Sequence, residues 1–321
     1  MRRREFVLLL GAATLVAPAD THAQASRKPV VGWLVAGRSG GSPITDAVVA
    51  ELSRLGWIDG QTVTYTWRIA ESDPARIPAL AAELVARKVD LIIAPSPPAA
   101  QAAQRATATI PIIALADDMQ GSGFVRSLAH PGGNMTGVSI LASELDAKRL
   151  ALLVEMVPTA RRVAALADSK DGPSLPQLST VARELSLDLR IYEARSADEI
   201  GPALDAIAAA SVDAVNVLAS VILHNARDIV MARIAAARLP AIYQWPEYTA
   251  DGALMAYGPR QTLISRQMAK LVDRVLRGAP VAELPVEQPA AFELVINART
   301  GKARGLVAPP ALLARADEVI E

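Results

Sequence analysis

The 321-residue chain contains no cysteine. That excludes disulfide frameworks, thiolate metal sites, cysteine nucleophiles and a lipid-modified N-terminal cysteine. Histidine is scarce too, with three in the chain, of which only His130 and His224 lie beyond the first two dozen residues. Neither sign of charge is in excess: 33 Lys and Arg balance 33 Asp and Glu. This balance argues against a protein that binds nucleic acid or an anionic membrane through bulk charge. No H-E-x-x-H or Walker A sequence occurs, so the common metalloprotease and nucleotide-binding signatures are missing. What remains is strongly apolar. Hydrophobic residues make up 51% and charged residues 21%, which excludes intrinsic disorder. Aromatics are only 4%, and the apolar content is mostly Ala, Leu, Val and Ile, the mixture of helices alternating with buried strands. The length suits two lobes of roughly 100–150 residues each.

The start of the chain reads as a leader rather than as part of the fold. Arg2, Arg3 and Arg4 precede the apolar run Phe6–Ala17 and the small-residue stretch Ala19–Ala25, the order of a secretory signal peptide. We place it at residues 1–23, with cleavage after Ala23 or Ala25. The apolar run falls short of the roughly 20 residues that span a bilayer, and no later run is longer. Arg3-Arg4-Glu5-Phe6 also resembles a twin-arginine export signal. Cleavage removes three arginines, Glu5 and Asp20, leaving a near-neutral mature protein expected in the periplasm.

From Pro29 onward, apolar runs alternate with helical patterns. Val30–Ala36, Val63–Ile69, Asp90–Ala94 and Ile110–Leu115 read as strands, with helices at Ile44–Leu55, after Asp73-Pro74 and at Pro97–Thr107. A turn cluster at His130-Pro131-Gly132-Gly133-Asn134 precedes a strand at Thr136–Ile140, and the rhythm then restarts through Leu239–Tyr243. We read Ala226–Arg238 as the helix before that last strand, a long helix at Pro259–Arg277 and a late strand at Phe292–Ile296. Near-continuous apolar strands alternating with helices predict an α/β fold of two doubly wound parallel-sheet lobes.

In open parallel sheets, ligands sit outside the carboxyl ends of the strands, where helix N-termini present free N–H groups. The residues that follow the strands are Arg38-Ser39-Gly40-Gly41, Pro95-Ser96, Asp117-Asp118, Asp168-Ser169, Ala219-Ser220 and Gln244-Trp245-Pro246-Glu247. Hydroxyls and helix N-termini suit a carboxylate, and Asp or Glu suits an ammonium group, so a zwitterion such as an amino acid is the natural candidate. Capping is the competing role for each Ser or Asp taken singly. Gly37-x-x-Gly40-Gly41 lacks the G-x-G-x-x-G spacing of a dinucleotide site. The pair Asp117-Asp118 offers too few oxygen ligands for a hard metal, and no cofactor is implied. Trp245 is the aromatic whose post-strand position favours ligand contact.

Several segments together carry a family likeness. They are Pro131-Gly132-Gly133-Asn134-Met135-Thr136-Gly137-Val138, Leu239-Pro240-Ala241-Ile242-Tyr243, Gly252-Ala253-Leu254-Met255-Ala256-Tyr257-Gly258 and Leu284-Pro285-Val286-Glu287-Gln288-Pro289, the last followed by Phe292–Asn297. In this order and spacing the chain resembles the ABC-transporter substrate-binding proteins that include tryptophan-binding members. The resemblance implies a type I periplasmic-binding-protein fold, with an N-terminal lobe of residues 28–140 plus 258–280 and a C-terminal lobe of 141–257 plus 281–321, joined by crossover strands. Members commonly carry Asn-Pro where this chain has Asp168-Ser169, and Asp-Pro where it has Ala219-Ser220.

The resulting expectation is an exported solute-binding protein of an ABC importer. It would close two lobes on a small zwitterionic or anionic ligand, such as an aromatic or branched amino acid. Ser39, Gly40, Ser96 and Asp117 would serve from the first lobe, and Ser169, Ser220, Trp245, Glu247 and Tyr257 from the second. A membrane permease and its ATPase would be the partners, nucleic acid would not, and the protein would be monomeric. An extracytoplasmic ligand sensor is the alternative reading, and an exported enzyme a remoter one.

Overall fold

The computed structural model describes residues 27–39 and 43–321. The leader assigned to residues 1–23, and Gly40 among the expected ligand contacts, lie outside the described residues. Two sheets are built in succession. The first is assembled from β1 (Val30–Val35), α1 (Pro43–Arg54), β2 (Thr64–Ile69), α2 (Ile77–Ala86), β3 (Leu91–Ala94), α3 (Pro97–Ala106), β4 (Ile112–Ala116) and β5 (Met135–Ser139). Its strand order is β2-β1-β3-β4-β5, and every pairing is parallel.

The second sheet begins after α4 (Asp146–Met156) with β6 (Arg162–Ala167), α5 (Leu175–Glu184), β7 (Asp188–Glu193), α6 (Ala197–Ala209) and β8 (Ala214–Val217). It continues through α7 (Val221–Asn225), α8 (Arg227–Ala236), β9 (Ala241–Tyr243) and β10 (Met255–Gly258). The chain then forms α9 (Gln261–Leu276), β11 (Glu293–Asn297), α10 (Ala298–Ala303), α11 (Pro310–Leu313) and β12 (Glu318–Ile320). The order is β12-β11-β10-β9-β8-β6-β7. Only β10 and β11 are antiparallel.

The interior strands bury both faces, as their apolar composition requires, while the edge strands β2, β7 and β12 are half-exposed. Along β1, Val31, Trp33 and Val35 face a core shared with Val48 and Leu52 of α1 and with Ile264 and Met268 of α9. Leu34 points to the opposite face, against Leu84 of α2 and Ala99 and Ala103 of α3, the two-residue alternation of a strand. Asp73 opens the second helical segment as its sequence predicts. Its carboxylate accepts the Ala75 N–H at 3.0 Å, and Pro74 occupies a position whose N–H would have no partner. Gly137 of β5 is compelled by packing: a Cβ there would lie 1.9 Å from the Ala114 carbonyl oxygen of β4.

The chain passes between the sheets three times: after β5, between β10 and α9, and before β11. Helix α9 packs on α1 of the first lobe. Here the structure corrects one expected boundary. The final return, placed at residue 280 by sequence, falls after Glu287. Residues beyond 280 still run along β5, with Glu287 N–H donating to the Gly137 carbonyl at 2.9 Å and Ser139 N–H to the Glu287 carbonyl at 2.9 Å. Leu284 and Val286 are buried against the first lobe, which holds this segment there. Near the cleft, the helix expected at Ala226–Arg238 is α8, which begins at Arg227, and a short helix that was not anticipated, α7, precedes it from Val221. The C-terminal α10, α11 and β12 were not anticipated.

Candidate functional site

A cavity of about 860 Å³ lies between the two lobes, within the range of small-molecule sites. It opens off the carboxyl ends of β1, β3 and β4 on one side and of β6, β8 and β9 on the other. The first lobe contributes Gly37 and Arg38 after β1, Ser96 after β3, and Asp117 and Asp118 after β4. The crossing after β5 contributes Ile140 to Glu144. The second lobe contributes Asp168 and Gln177, the segment Ala219 to Asp228 in part, and Gln244 and Trp245. The lobes approach closely at one edge, where a Cβ built on Gly37 would sit 3.7 Å from the Asn225 side-chain amide.

Two donors in this wall are buried and without hydrogen-bond partners: the Ser96 hydroxyl and the Trp245 indole Nε1. Ser96 is 6% exposed and Trp245 4%. Local sequence explains the freedom of Ser96. It stands at the N-cap of α3, but Pro97 and Pro98 occupy the first two helical positions and remove the N–H of the second, and the hydroxyl makes no bond to that of Ala99 at the third. Buried polar groups are ordinarily paired, so both atoms are suited to a partner that arrives with the ligand.

Of the other polar residues in this wall, most are engaged within the protein. Ser220 lines the cavity, yet its hydroxyl oxygen accepts the N–H groups of Ile222 and Leu223 at 3.1 and 3.3 Å, capping α7. Asp117 also lines it, with Oδ1 accepting the Ser143 N–H at 2.9 Å. Asp118 Oδ1 accepts from Gln120 and Gly121 N–H groups at 3.0 and 2.8 Å. Asp168 lines the cavity with no hydrogen bond or ion pair to the described residues.

Four expected residues do not line the cavity. Ser39 donates its hydroxyl and its backbone N–H to Glu71, and these bonds hold the Glu71 carboxyl below the usual range. The Ser169 hydroxyl accepts the Asp171 N–H at 3.1 Å within its own loop. Glu247 Oε1 accepts the Gln261 N–H at 2.8 Å at the start of α9, while burial raises the pKa of its carboxyl above the ordinary value. The Tyr257 ring packs beside Phe292, with centroids 6.5 Å apart.

The short helix α7 and the start of α8 bring in residues not expected at the site, notably Asn225, Arg227 and Asp228. His224 joins them. Its Nδ1 lies 2.5 Å from the Tyr248 hydroxyl, and its ring stacks on Tyr248 at an interplanar angle of 9°. Burial, and then the nearby Arg227 charge, lower its pKa to about 4, so the imidazole is neutral at neutral pH. Arg227 lies 5.7 Å over the Tyr248 ring and 3.3 Å from the Asp228 carboxylate. The signal for these residues was Ser220, an N-cap type ahead of Val221-Ile222-Leu223; the β-branched pair obscured the helix.

The chemistry of this wall is binding chemistry. It offers guanidinium, indole, hydroxyl and amide donors beside carboxylate acceptors, over apolar residues such as Leu115 and Ile140. Among the described residues no group of three or more His, Asp or Glu is placed to hold a metal ion. No described helix is long and apolar enough to cross a membrane.

Two α/β lobes around such a cleft form the type I periplasmic-binding fold. A family model for ABC transporter substrate binding proteins matches residues 39–320, and the chain belongs to that family. It is a family of solute-binding proteins rather than enzymes, whose members work outside the cytoplasm. A tyrosine-binding protein from Clostridioides difficile is 28% identical over 259 residues, covering 79% of this chain and 74% of that protein. The structure of an ABC domain in complex with L-Trp from Streptococcus pneumonia is similar over 91% of this chain and all of that one, at 24% identity and a TM-score of 0.80. The ligand-free, open structure of a substrate binding protein with adhesive properties from Clostridium difficile covers 91% of this chain and 98% of its own, at 23% identity and a TM-score of 0.61.

Proposed function

We propose that this protein captures an aromatic L-amino acid in the periplasm and delivers it to the permease and ATPase of an ABC importer. The observation that carries the reading is the pair of buried, unpartnered donors, Ser96 Oγ and Trp245 Nε1, one on each lobe of the cleft. Donors contributed from both sides and joined by one ligand favour the closed arrangement over the open one. In this reading Ser96 and Trp245 Nε1, with Arg38 or Arg227, receive the carboxylate. Asp168, whose carboxylate has no partner among the described residues, receives the ammonium group. Leu115, Ile140 and the Trp245 ring accept the apolar side chain. The relatives described as binding tyrosine and L-Trp support an aromatic side chain over a branched one. The two readable export features of residues 1–23 support the periplasmic location.

Isothermal titration of the mature chain against the twenty amino acids tests this. Heat of binding with L-tyrosine, L-tryptophan or L-phenylalanine, at one ligand per chain, is the expected result. Absence of heat and of any thermal shift with every amino acid removes the ligand class while leaving the family assignment intact.

A further inference from the structure

Beneath the cleft loop of the second lobe lies a buried polar network that the binding site itself does not use. Arg149 of α4 is 0% exposed and Asp146, one turn earlier, 1%. Arg149 Nη2 donates to the Asp146 carboxylate and to the Ala142 carbonyl at 2.6 Å. Its Nη1 donates to the Tyr257 carbonyl at 3.0 Å. Asp146 Oδ1 accepts in turn the backbone N–H of Ala219 at 3.1 Å, and the Asp146 carbonyl accepts from Asn216 at 3.0 Å.

The placement of these acceptors is the point. Ala142 lies on the first passage between lobes and Tyr257 immediately before the second, while Ala219 adjoins Ser220 in the cleft wall. One guanidinium therefore holds the second-lobe ends of two crossings and, through one carboxylate, the loop that faces the ligand. The third passage is tied to the second by Arg260, which donates to Glu293 at 2.6 Å. A planar guanidinium presents several donors in fixed directions, whereas an ammonium is a single point charge. An ion pair taken wholly out of water is an expensive way to stabilise a lobe interior, which favours a role that apolar packing cannot fill.

We infer that Arg149 is the positioning residue of the hinge: it sets the angle at which the lobes meet and couples that angle to the cleft loop at Ala219. The inference takes capture between closing lobes from the reading above, but its test does not depend on which ligand is bound. Because the chain has no cysteine, Ser53→Cys on α1 and Ser179→Cys on α5 place one spin label on each lobe. Pulsed dipolar spectroscopy on the unliganded mature protein then reads the distribution of lobe separations. Arg149→Met and Arg149→Lys are each expected to broaden this distribution about twofold, with the lysine variant retaining the native melting transition. In the same proteins the dissociation constant for L-tyrosine or L-tryptophan rises about tenfold, the scale of one charge-assisted contact. A purely structural role lowers the melting temperature and leaves the separations unchanged; that result in either folded variant overturns the inference. Should Arg149→Met not fold, Arg149→Lys, which keeps the charge beside Asp146, decides the matter. A protein that binds no amino acid but whose lobe separations broaden on substitution keeps the hinge and loses the ligand class.

Discussion

Ser96, Trp245 and His224 show how three side chains of the same cleft do different work. The Ser96 hydroxyl has no partner, so its removal costs the unliganded fold little and the complex much. Ser96→Ala is expected to weaken binding of an aromatic amino acid about tenfold to a hundredfold, since a hydrogen bond to a charged group contributes about 1.5–3 kcal/mol. The thermal transition of the free protein stays where it is. Calorimetry paired with a melt of the free variant checks both halves. His224 has the opposite character, being part of the fold's own packing. Its folded pKa of about 4 lies below the unfolded value, so the fold favours the neutral ring. Its contribution is intact above pH 6.5 and is lost as the pH falls toward 4, when the unfolded chain takes up the proton first. Between pH 7 and pH 5 this amounts to about 2 kcal/mol. Urea unfolding of wild type and His224→Gln at the two pH values measures it, and the variant should lose most of the extra acid sensitivity. An equal loss in both proteins would assign the sensitivity to other groups.

Among the elements, the strands and the first-lobe helices were readable because their local signals agree with their packing. Val31, Trp33 and Val35 alternate with Leu34 across two cores, and Asp73-Pro74 caps as its residue types predict. Where local preference and tertiary context diverge, the reading fell short. Val221 and Ile222 are β-branched and poor helix formers, yet Ser220 caps them into α7, and that turn carries His224 and Asn225 to the cleft. Residues 281–287 carry no helix or strand period of their own; hydrogen bonds to β5 place them. In the candidate site, Ser96, Asp117, Ser220 and Trp245 were found at the strand ends. Ser39, Ser169, Glu247 and Tyr257 were not brought to the cavity, because the Glu71 carboxylate, the Asp171 N–H, the start of α9 and Phe292 respectively engage them first. The Ser96-Pro97-Pro98 sequence contained the sign of a spare hydroxyl, legible once the missing proline N–H groups are counted. At this scale Gly137 is the sharpest test. A methyl group there would overlap the Ala114 carbonyl oxygen, so β4 and β5 cannot keep their register. Gly137→Ala should destabilise the protein by about 3 kcal/mol in urea unfolding; a change below about 0.5 kcal/mol would contradict that strand pairing.

For the molecule as a whole, near neutrality and lack of cysteine fit a protein that relies on core packing within each lobe and on weak, reversible contact between lobes. The cleft places donors from both lobes around one cavity, and on the proposed function that division of labour is the basis of capture. Of the four tryptophans in the chain, Trp245 alone lines the cavity, and its indole nitrogen has no partner in the protein. The indole N–H resonances of uniformly nitrogen-15-labelled protein, assigned with Trp245→Phe and titrated with unlabelled L-tyrosine, read the site directly. The account predicts that the Trp245 resonance moves furthest and saturates at one equivalent. L-tyrosine that binds while the Trp245 resonance stays in place would contradict it.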